Sequence, residues 1–503
     1  MEVVAAVAAW AVTSVCQNAG SEHWLSAVCR RDGNATDLAG RLSPGAAIYT
    51  PGSDGFINAT SRWSVFDAPT VNIVVVPATE NDVAETVKYA NEQDVPFLAV
   101  TGGHGAITTV GRMKTGIEIW MNHLQDIEIS ADGASAKIGG GSLSKRILDT
   151  LWAAGKQTVT GSCECTSLLG PGLGGGHGFL QGRHGLIADQ FLSMNIVFAN
   201  GSLHHIDKKT DADLWWAMQG AGHNFGIVTS VTVKIYDIEY SDWAYEMFTV
   251  TSDKVEKFYQ TINAAIPNNG SLPVNVIHYG YFYNDPTIDS KGPVTAFWIL
   301  QEGATSVDSV YTQPFHDLGP FATEAGSGNY LDLPVWTDLD NSAAPCQHTG
   351  FANTRFPVDM QTYDPQAMRK AYDLFAKASL ETPAFNGSFF LIEGYSLQGV
   401  KAIPSDTTAV PFRDGNLLIA PVIRWDPSDS TLAQKATDLG NELRNIVFEA
   451  SGQSELLTYV NYAFGDETKQ NWYGFEQWRQ DKLLAVKDKY DPLRKFSFYA
   501  PIA

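Results

Sequence analysis

The sequence predicts an α+β protein in two main parts: an α/β unit rich in glycine loops, then an antiparallel sheet backed by helices. Three observations carry this. From residue 71 an apolar run, Val71 to Pro77 (VNIVVVP), gives way to the helical pattern TENDVAETVKYANEQD and then to a second apolar run, Pro96 to Val100 (PFLAV). Glycines then cluster in three loops between residues 101 and 226. Past Tyr236 the texture shifts to aromatic strands, VIHYGYFY (Val276 to Tyr283) and AFWIL (Ala296 to Leu300), with FFLIEGY and LLIAPVIRW beyond. Helical patterns near residues 252–265, 366–380 and 430–451 would cover that second sheet.

Taken in order, Thr79 caps the first helix, and Asp82 sits in its first turn, where a carboxylate complements the helix dipole. Residues 115–145 read as short strands with a turn at Asp132-Gly133, followed by a helix from Leu143 to Ala154. The segment Ser193 to Ala199 is a strand turning at Asn200-Gly201. The end of the chain, from about Leu457, predicts a short strand, a helix through Gln477 to Lys489 and the tail FSFYAPIA. This divides the chain into an N-terminal segment (1–66), a cofactor part (67–236), a substrate part (237–450) and a C-terminal element (451–503).

The 503 residues are 44% hydrophobic and 18% charged, enough to bury a large core and too apolar for disorder. A net charge of -21 opposes binding to nucleic acid or an anionic membrane, and makes a neutral or cationic small molecule the easier partner. No apolar run reaches the ~20 residues that span a bilayer, so a protein in solution is expected. The oligomeric state is not fixed by the sequence, and a monomer is the default. Five cysteines (Cys16, Cys29, Cys163, Cys165 and Cys346) are too few for a disulfide scaffold and lack zinc spacing, so no metal is expected. Their odd number leaves a thiol free. The apolar stretch Val3 to Val15 has signal-peptide length, within residues 1–20, although Glu2 stands where a basic residue belongs. Sequons at Asn34, Asn58, Asn200, Asn269 and Asn386 suit the secretory route, the alternative being a soluble cytoplasmic protein.

Three glycine loops carry the chemistry. Thr101-Gly102-Gly103-His104-Gly105 directly follows a strand, where consecutive glycines let backbone N–H groups approach a pyrophosphate. Gly161-Ser162-Cys163-Glu164-Cys165 leads into LLGPGLGGGHG, too glycine-dense for helix or strand and too apolar for a solvated loop. Cysteines one residue apart do not easily bond to each other, so at least one has another role. In the third loop, Gly220-Ala221-Gly222-His223-Asn224-Phe225-Gly226, the last spacing is wrong for a nicotinamide-binding turn and a strand follows instead of a helix.

In this order and at these separations the three loops resemble the berberine-bridge-enzyme-like branch of the vanillyl-alcohol-oxidase superfamily of FAD-linked oxidoreductases. The likeness runs from Pro77 through LLGPGLGGGHGFLQGRHGLIADQF and DADLWWAMQGAGHNFGIVTSVTVKIY to YVNYAFGD and the closing WRQDKLLAVKDKYDPLRKFSFYAPI. It implies a two-part PCMH-type FAD-binding domain, and FAD held bicovalently through His104 and Cys163, with Cys165 a rival for the second link. It further implies Thr101, Gly102, Gly103 and Gly105 at the pyrophosphate and Gly226, Ile227 and Val228 at the adenine end. Gly174, Gly175 and Gly176 would let the backbone run close to the cofactor, whereas His177 and His223 would be structural. Tyr459, Asn461 and Tyr462 would lie over or beside the isoalloxazine, the two tyrosines positioning substrate and handling a proton. Because a tyrosine ordinarily ionises near pH ~10, a basic role would need a lowered pKa.

One departure stands out: the strand that carries a Glu or Gln in plant-type relatives here offers Ala420 and Pro421, leaving Glu393 in FFLIEGY as a substitute base. Thr166, a small residue near the flavin edge, would leave room for oxygen. The implied activity is an oxidase of an alcohol, amine or secondary-metabolite precursor that releases hydrogen peroxide. A carbohydrate oxidase and a flavin-binding protein without turnover are the alternatives.

Overall fold

A computed structural model describes residues 37–265 and 272–503. The expected signal peptide, Cys16, Cys29 and the sequons at Asn34 and Asn269 lie outside the described residues; Asn58, Asn200 and Asn386 are exposed. The unit predicted from residue 71 forms β2 (Ile73–Val76), α1 (Glu80–Glu92), β3 (Phe97–Val100) and β4 (Ile117–Trp120), and the segment expected to stand apart from it, residues 1–66, adds the edge strand β1 (Ala47–Tyr49). The sheet order is β1-β2-β4-β3, with β4 parallel to β2 and β3 and β1 antiparallel at the edge. Helix α1 starts where predicted: the Thr79 hydroxyl accepts the Asp82 N–H at 3.2 Å, and the Asp82 carboxylate accepts the Thr79 N–H at 2.8 Å. Val83, Val87 and Ala90 share one face of α1 and bury it against Val75, Phe97 and Ile119.

A second sheet uses β5 (Ile127–Ile129), β6 (Ser135–Gly139), β7 (Phe191–Val197), β8 (Leu203–Asp207) and β9 (Ile227–Lys234) in the antiparallel order β5-β6-β9-β7-β8. The turn between β5 and β6 places Gly133 at φ +65, the left-handed geometry that the Asp132-Gly133 pair supplies. Helices α2 (Ser144–Ala153) and α3 (Ala212–Ala221) belong to this part.

The aromatic strands form one antiparallel sheet from β10 (Asp242–Val250), β11 (Val276–Tyr283), β12 (Val294–Glu302), β13 (Ala322–Asn329), β14 (Ala352–Arg355), β15 (Val358–Met360), β16 (Phe389–Gly394) and β17 (Leu417–Trp425). Its order is β13-β10-β12-β11-β16-β17-β14, and β15 also pairs with β17. Helices α4 (Val255–Ala265), α5 (Pro365–Glu381) and α6 (Leu432–Ala450) cover one face. The two-residue period decides what each face holds. Phe282, Phe390 and Ile392 turn toward the helices, with Phe282 and Phe390 stacked at 4.4 Å, each burial contributing about 1.5–3 kcal/mol. Tyr279, Tyr281 and Leu391 turn the other way, into the core shared with the glycine loops.

The C-terminal segment departs from its prediction near Leu457. No strand forms there; Tyr459 to Tyr462 make a turn closed by the Tyr462 N–H on the Tyr459 carbonyl at 2.9 Å. Helix α7 (Gln477–Tyr490) packs on α3 and is anchored by Lys487. That buried ammonium donates to the Asn224 carbonyl at 2.8 Å, the Phe496 carbonyl at 2.8 Å and the Asp491 carboxylate at 2.7 Å. The tail is thereby fixed beside the third glycine loop.

Candidate active site

A cavity of about 350 Å³ opens where the three glycine loops, the free face of the large sheet and the C-terminal turn converge. The first loop forms one wall with Thr101, Gly102, Gly103, His104 and Gly105. Gly103 has φ +66, and a Cβ on Gly102 would lie 2.8 Å from the Cys165 carbonyl oxygen, so the two loops meet backbone to backbone. The N–H groups of Gly102, Gly103, His104 and Gly105 donate to no acceptor among the described residues. Four consecutive amides without a protein acceptor on a cavity wall can hold an anionic or polar guest, and the pyrophosphate of FAD fits them.

His104 stands beside Trp63 and His348, at ring-centre distances of 6.5 and 5.6 Å. Burial first, then the neighbouring His348 and Arg355, pushes the imidazole down to about 3, so it is neutral at physiological pH. In the second loop Cys165 is disulfide-bonded to Cys346, and Cys163 is the free thiol among the described residues. Burial first, then the Glu393 carboxylate, pushes that thiol up to about 12. The Thr166 hydroxyl donates to the Cys163 carbonyl at 3.0 Å and also faces the cavity.

Gly226, Ile227 and Val228 line the far end, beside Gly140. The triple glycine does not line the cavity. A Cβ on Gly174 would meet Asn461 Oδ1 at 2.4 Å, one on Gly175 (φ +106) would meet Val410 at 3.2 Å, and one on Gly176 would meet Ile187 at 2.7 Å. Gly174 therefore lets the loop pack under the C-terminal turn, and Gly175 and Gly176 let it pack against Val410 and Ile187. His177 and His223 do reach the cavity, the first bonded through Nδ1 to Gln181 Oε1 at 2.9 Å and the second through Nε2 to the Gly170 carbonyl at 2.8 Å.

Glu393 is the one carboxylate on the cavity wall among the described residues. Strand alternation places it with Phe389 and Leu391 on the free face of β16, and it is only 4% exposed. Its Oε1 accepts a hydrogen bond from the Tyr395 hydroxyl at 3.0 Å, which in turn lies 3.0 Å from the Ser162 hydroxyl; Oε2 has no partner among the described residues. Burial pushes the carboxyl up to about 7, against the opposing pull of the Tyr395 and Tyr462 hydroxyls and of Arg355. Ala420 and Pro421 leave no rival carboxylate on β17, and Val422 faces the cavity there.

Tyr459, Asn461 and Tyr462 all line the cavity. The Asn461 amide bridges the Tyr459 hydroxyl and the Pro171 carbonyl, both at 2.8 Å, tying the turn to the glycine loop. Burial pushes both tyrosines above their ordinary pKa, and Glu393 adds to the rise, so neither carries the lowered pKa that a basic role requires. Sequence reasoning passed over Trp63, Arg355, Tyr279 and Tyr395, which come from four separate segments with no shared motif.

Comparison with known proteins agrees with this geometry. Residues 71–207 match the family described as FAD binding domain. The chain is 52% identical over 503 residues to FAD-linked oxidoreductase chyH of Penicillium rubens, covering all of both chains. It is 47% identical over 515 residues to FAD-linked oxidoreductase chry5 of Gibberella zeae, again over the full length of both. Among solved structures it is similar to BBE-like 1 of Physcomitrella patens, with a TM-score of 0.78 and 20% identity, covering 93% of this chain and 99% of that one. A carbohydrate oxidase from Microdochium nivale gives a TM-score of 0.78 at 18% identity, with 93% and 99% covered. The chain belongs to the FAD-linked oxidoreductases and is an oxidoreductase enzyme.

Proposed function

We propose that the protein is an FAD-dependent oxidase of a small organic substrate bearing a C–H beside a hydroxyl or amine nitrogen, with the cofactor tethered through His104 and Cys163. The observation that carries this reading is the convergence of a free thiol, a neutral imidazole, four unsatisfied amides and one buried carboxylate on a single cavity. FAD, when bound, supplies a hydride acceptor at N5 and passes the electrons to dioxygen, giving hydrogen peroxide. Glu393 Oε2 takes the proton that leaves the substrate heteroatom as the C–H bond breaks. Tyr395 holds the other carboxylate oxygen in place, and Tyr462 and Tyr459, kept protonated by burial, act as donors that orient the substrate. Thr166, its hydroxyl committed to a backbone carbonyl, leaves space for oxygen.

The apolar part of the cavity wall favours an aromatic or extended apolar substrate over a sugar. Leu339, Pro345, Phe389, Leu391 and Val422 offer no side-chain hydrogen bonds, whereas a carbohydrate needs a partner for most of its hydroxyls. The disulfide and the exposed sequons at Asn58, Asn200 and Asn386 support maturation in the secretory pathway.

Acid-precipitated protein tests the reading. Yellow colour should stay with the polypeptide, and mass increments should fall on the peptides containing His104 and Cys163, with peroxide released during turnover. Colourless protein that takes up no FAD would end it.

A further inference from the structure

Arg355 ends β14 and reaches into the cavity between two aromatic faces, 4.6 Å from the Trp63 ring centre and 4.7 Å from that of Tyr462. One of its terminal nitrogens donates to the His104 carbonyl at 2.8 Å, and its Nε is buried with no hydrogen-bond partner. Among the described residues it forms no ion pair, unlike the deeply buried arginines: Arg62 pairs with Glu118, Arg413 with Asp189, Arg444 with Asp466 and Glu467, and Arg479 with Glu476. An arginine that is stacked but unpaired presents a planar fork of donors to whatever enters beside it. Glu393, the one carboxylate on the wall among the described residues, makes no ion pair with it, and its Oε1 is taken by Tyr395.

We infer that Arg355 recognises a carboxylate on the substrate, so that the substrate class is a small acid whose flat apolar body lies against Tyr279, Phe389 and Leu391. This rests on the oxidase reading above and adds the charge of the substrate to it. It also reverses the expectation drawn from the net charge of -21. Surface carboxylates act through water and are screened within ~8 Å at physiological ionic strength, whereas a guanidinium in a desolvated wall acts at contact.

The test uses flavin-loaded protein and two isosteric probes, benzoate and benzamide, with binding read from the flavin absorbance change. Wild type should bind benzoate saturably and at least ~10-fold more tightly than benzamide. Arg355→Gln should weaken benzoate by ~10–100-fold and leave benzamide within a factor of ~3, the range for loss of a charge-assisted hydrogen-bond pair. Arg355→Lys, which keeps the charge but loses the fork, should fall between them. Thermal melting and the flavin-to-protein absorbance ratio check that the variants fold and load. If Arg355→Gln does not fold, the wild-type ratio and Arg355→Lys decide. Equal affinity for the two probes, no saturable benzoate signal, or unchanged benzoate binding in Arg355→Gln would overturn the inference. Unchanged binding with a shifted flavin midpoint potential would assign the guanidinium to the cofactor and overturn it equally. Colourless protein would sink the flavoenzyme reading as well, whereas yellow protein that does not discriminate sinks this inference alone.

Discussion

Glu393→Gln separates a catalytic carboxylate from a structural one, because the two roles predict opposite responses to pH. A base works only when deprotonated. With the Glu393 pKa near 7, wild-type flavin reduction should rise through that pH and level off above it, while the variant should be slower by ~10²–10⁴-fold and lose that inflection. Stability should move the other way. Folding raises this pKa from 4.5 to about 7, so the native state binds the proton more tightly than the unfolded state. The resulting stabilisation is complete below pH ~4.5 and is lost as pH climbs through 7. The difference corresponds to about 3 kcal/mol at 1.36 kcal/mol per pH unit, with no discount for screening because the group is buried. Glutamine carries no charge at any pH, so Glu393→Gln should match wild type in acid and exceed it by about that amount at pH 8. Denaturant midpoints across pH 4–9 and anaerobic reduction of the bound flavin by stopped flow read the two effects. A variant that reduces its flavin as fast as wild type with the same inflection would refute the assignment, and so would one whose stability equals that of wild type at both ends of the range.

Three further outcomes follow from the same geometry. Cys163→Ser should leave yellow colour on the acid-precipitated chain with a single mass increment, at His104, and adding His104→Ala should release all flavin into the supernatant. Gly102→Ala forces a Cβ to 2.8 Å from the Cys165 carbonyl oxygen, so one loop must shift; a stability loss of about 1–3 kcal/mol and a reduced flavin-to-protein absorbance ratio are expected. Lys487→Met strips Asp491 of its counter-charge and leaves two buried carbonyls without a donor, and should cost about 3–5 kcal/mol in chemical denaturation.

Much of the site was legible because its decisive features are local. A glycine run after a strand is a statement about sterics, and Thr101 to Gly105 reach the cavity, as do Cys163, Tyr459, Asn461 and Tyr462, which the family resemblance pointed to. The cap on α1 was readable for the same reason, since Thr79 and Asp82 bond within one turn. What stayed hidden depends on contacts distant in sequence. The partner of Cys165 lies 181 residues away, and nothing around Cys346 marks it. The period of FFLIEGY groups Glu393 with Phe389 and Leu391, but which face of β16 meets the cavity depends on how the large sheet docks. The triple glycine looked like a cofactor loop because abundance of glycine signals close approach without saying to what; here the neighbours are Asn461, Val410 and Ile187.

The way the wall is assembled explains why Glu393 can serve a chemistry for which β17 supplies no acid. The second glycine loop is held on its outer side by residues from the substrate part: the Glu164 N–H donates to the Leu339 carbonyl at 3.0 Å, the Asn341 N–H donates to the Glu164 carboxylate at 2.9 Å, and Cys346 closes the disulfide. On the inner side, Ser162 lies 3.0 Å from the Tyr395 hydroxyl that orients Glu393. The loop that carries the thiol therefore shares its hydrogen bonds with the strand that carries the carboxylate. Glu393 pairs with Leu418 on β17, whereas Ala420 lies opposite Leu391, so Glu393 sits one strand over and two residues along from the position where β17 offers Ala420, and it is there that the Tyr395 hydroxyl meets it.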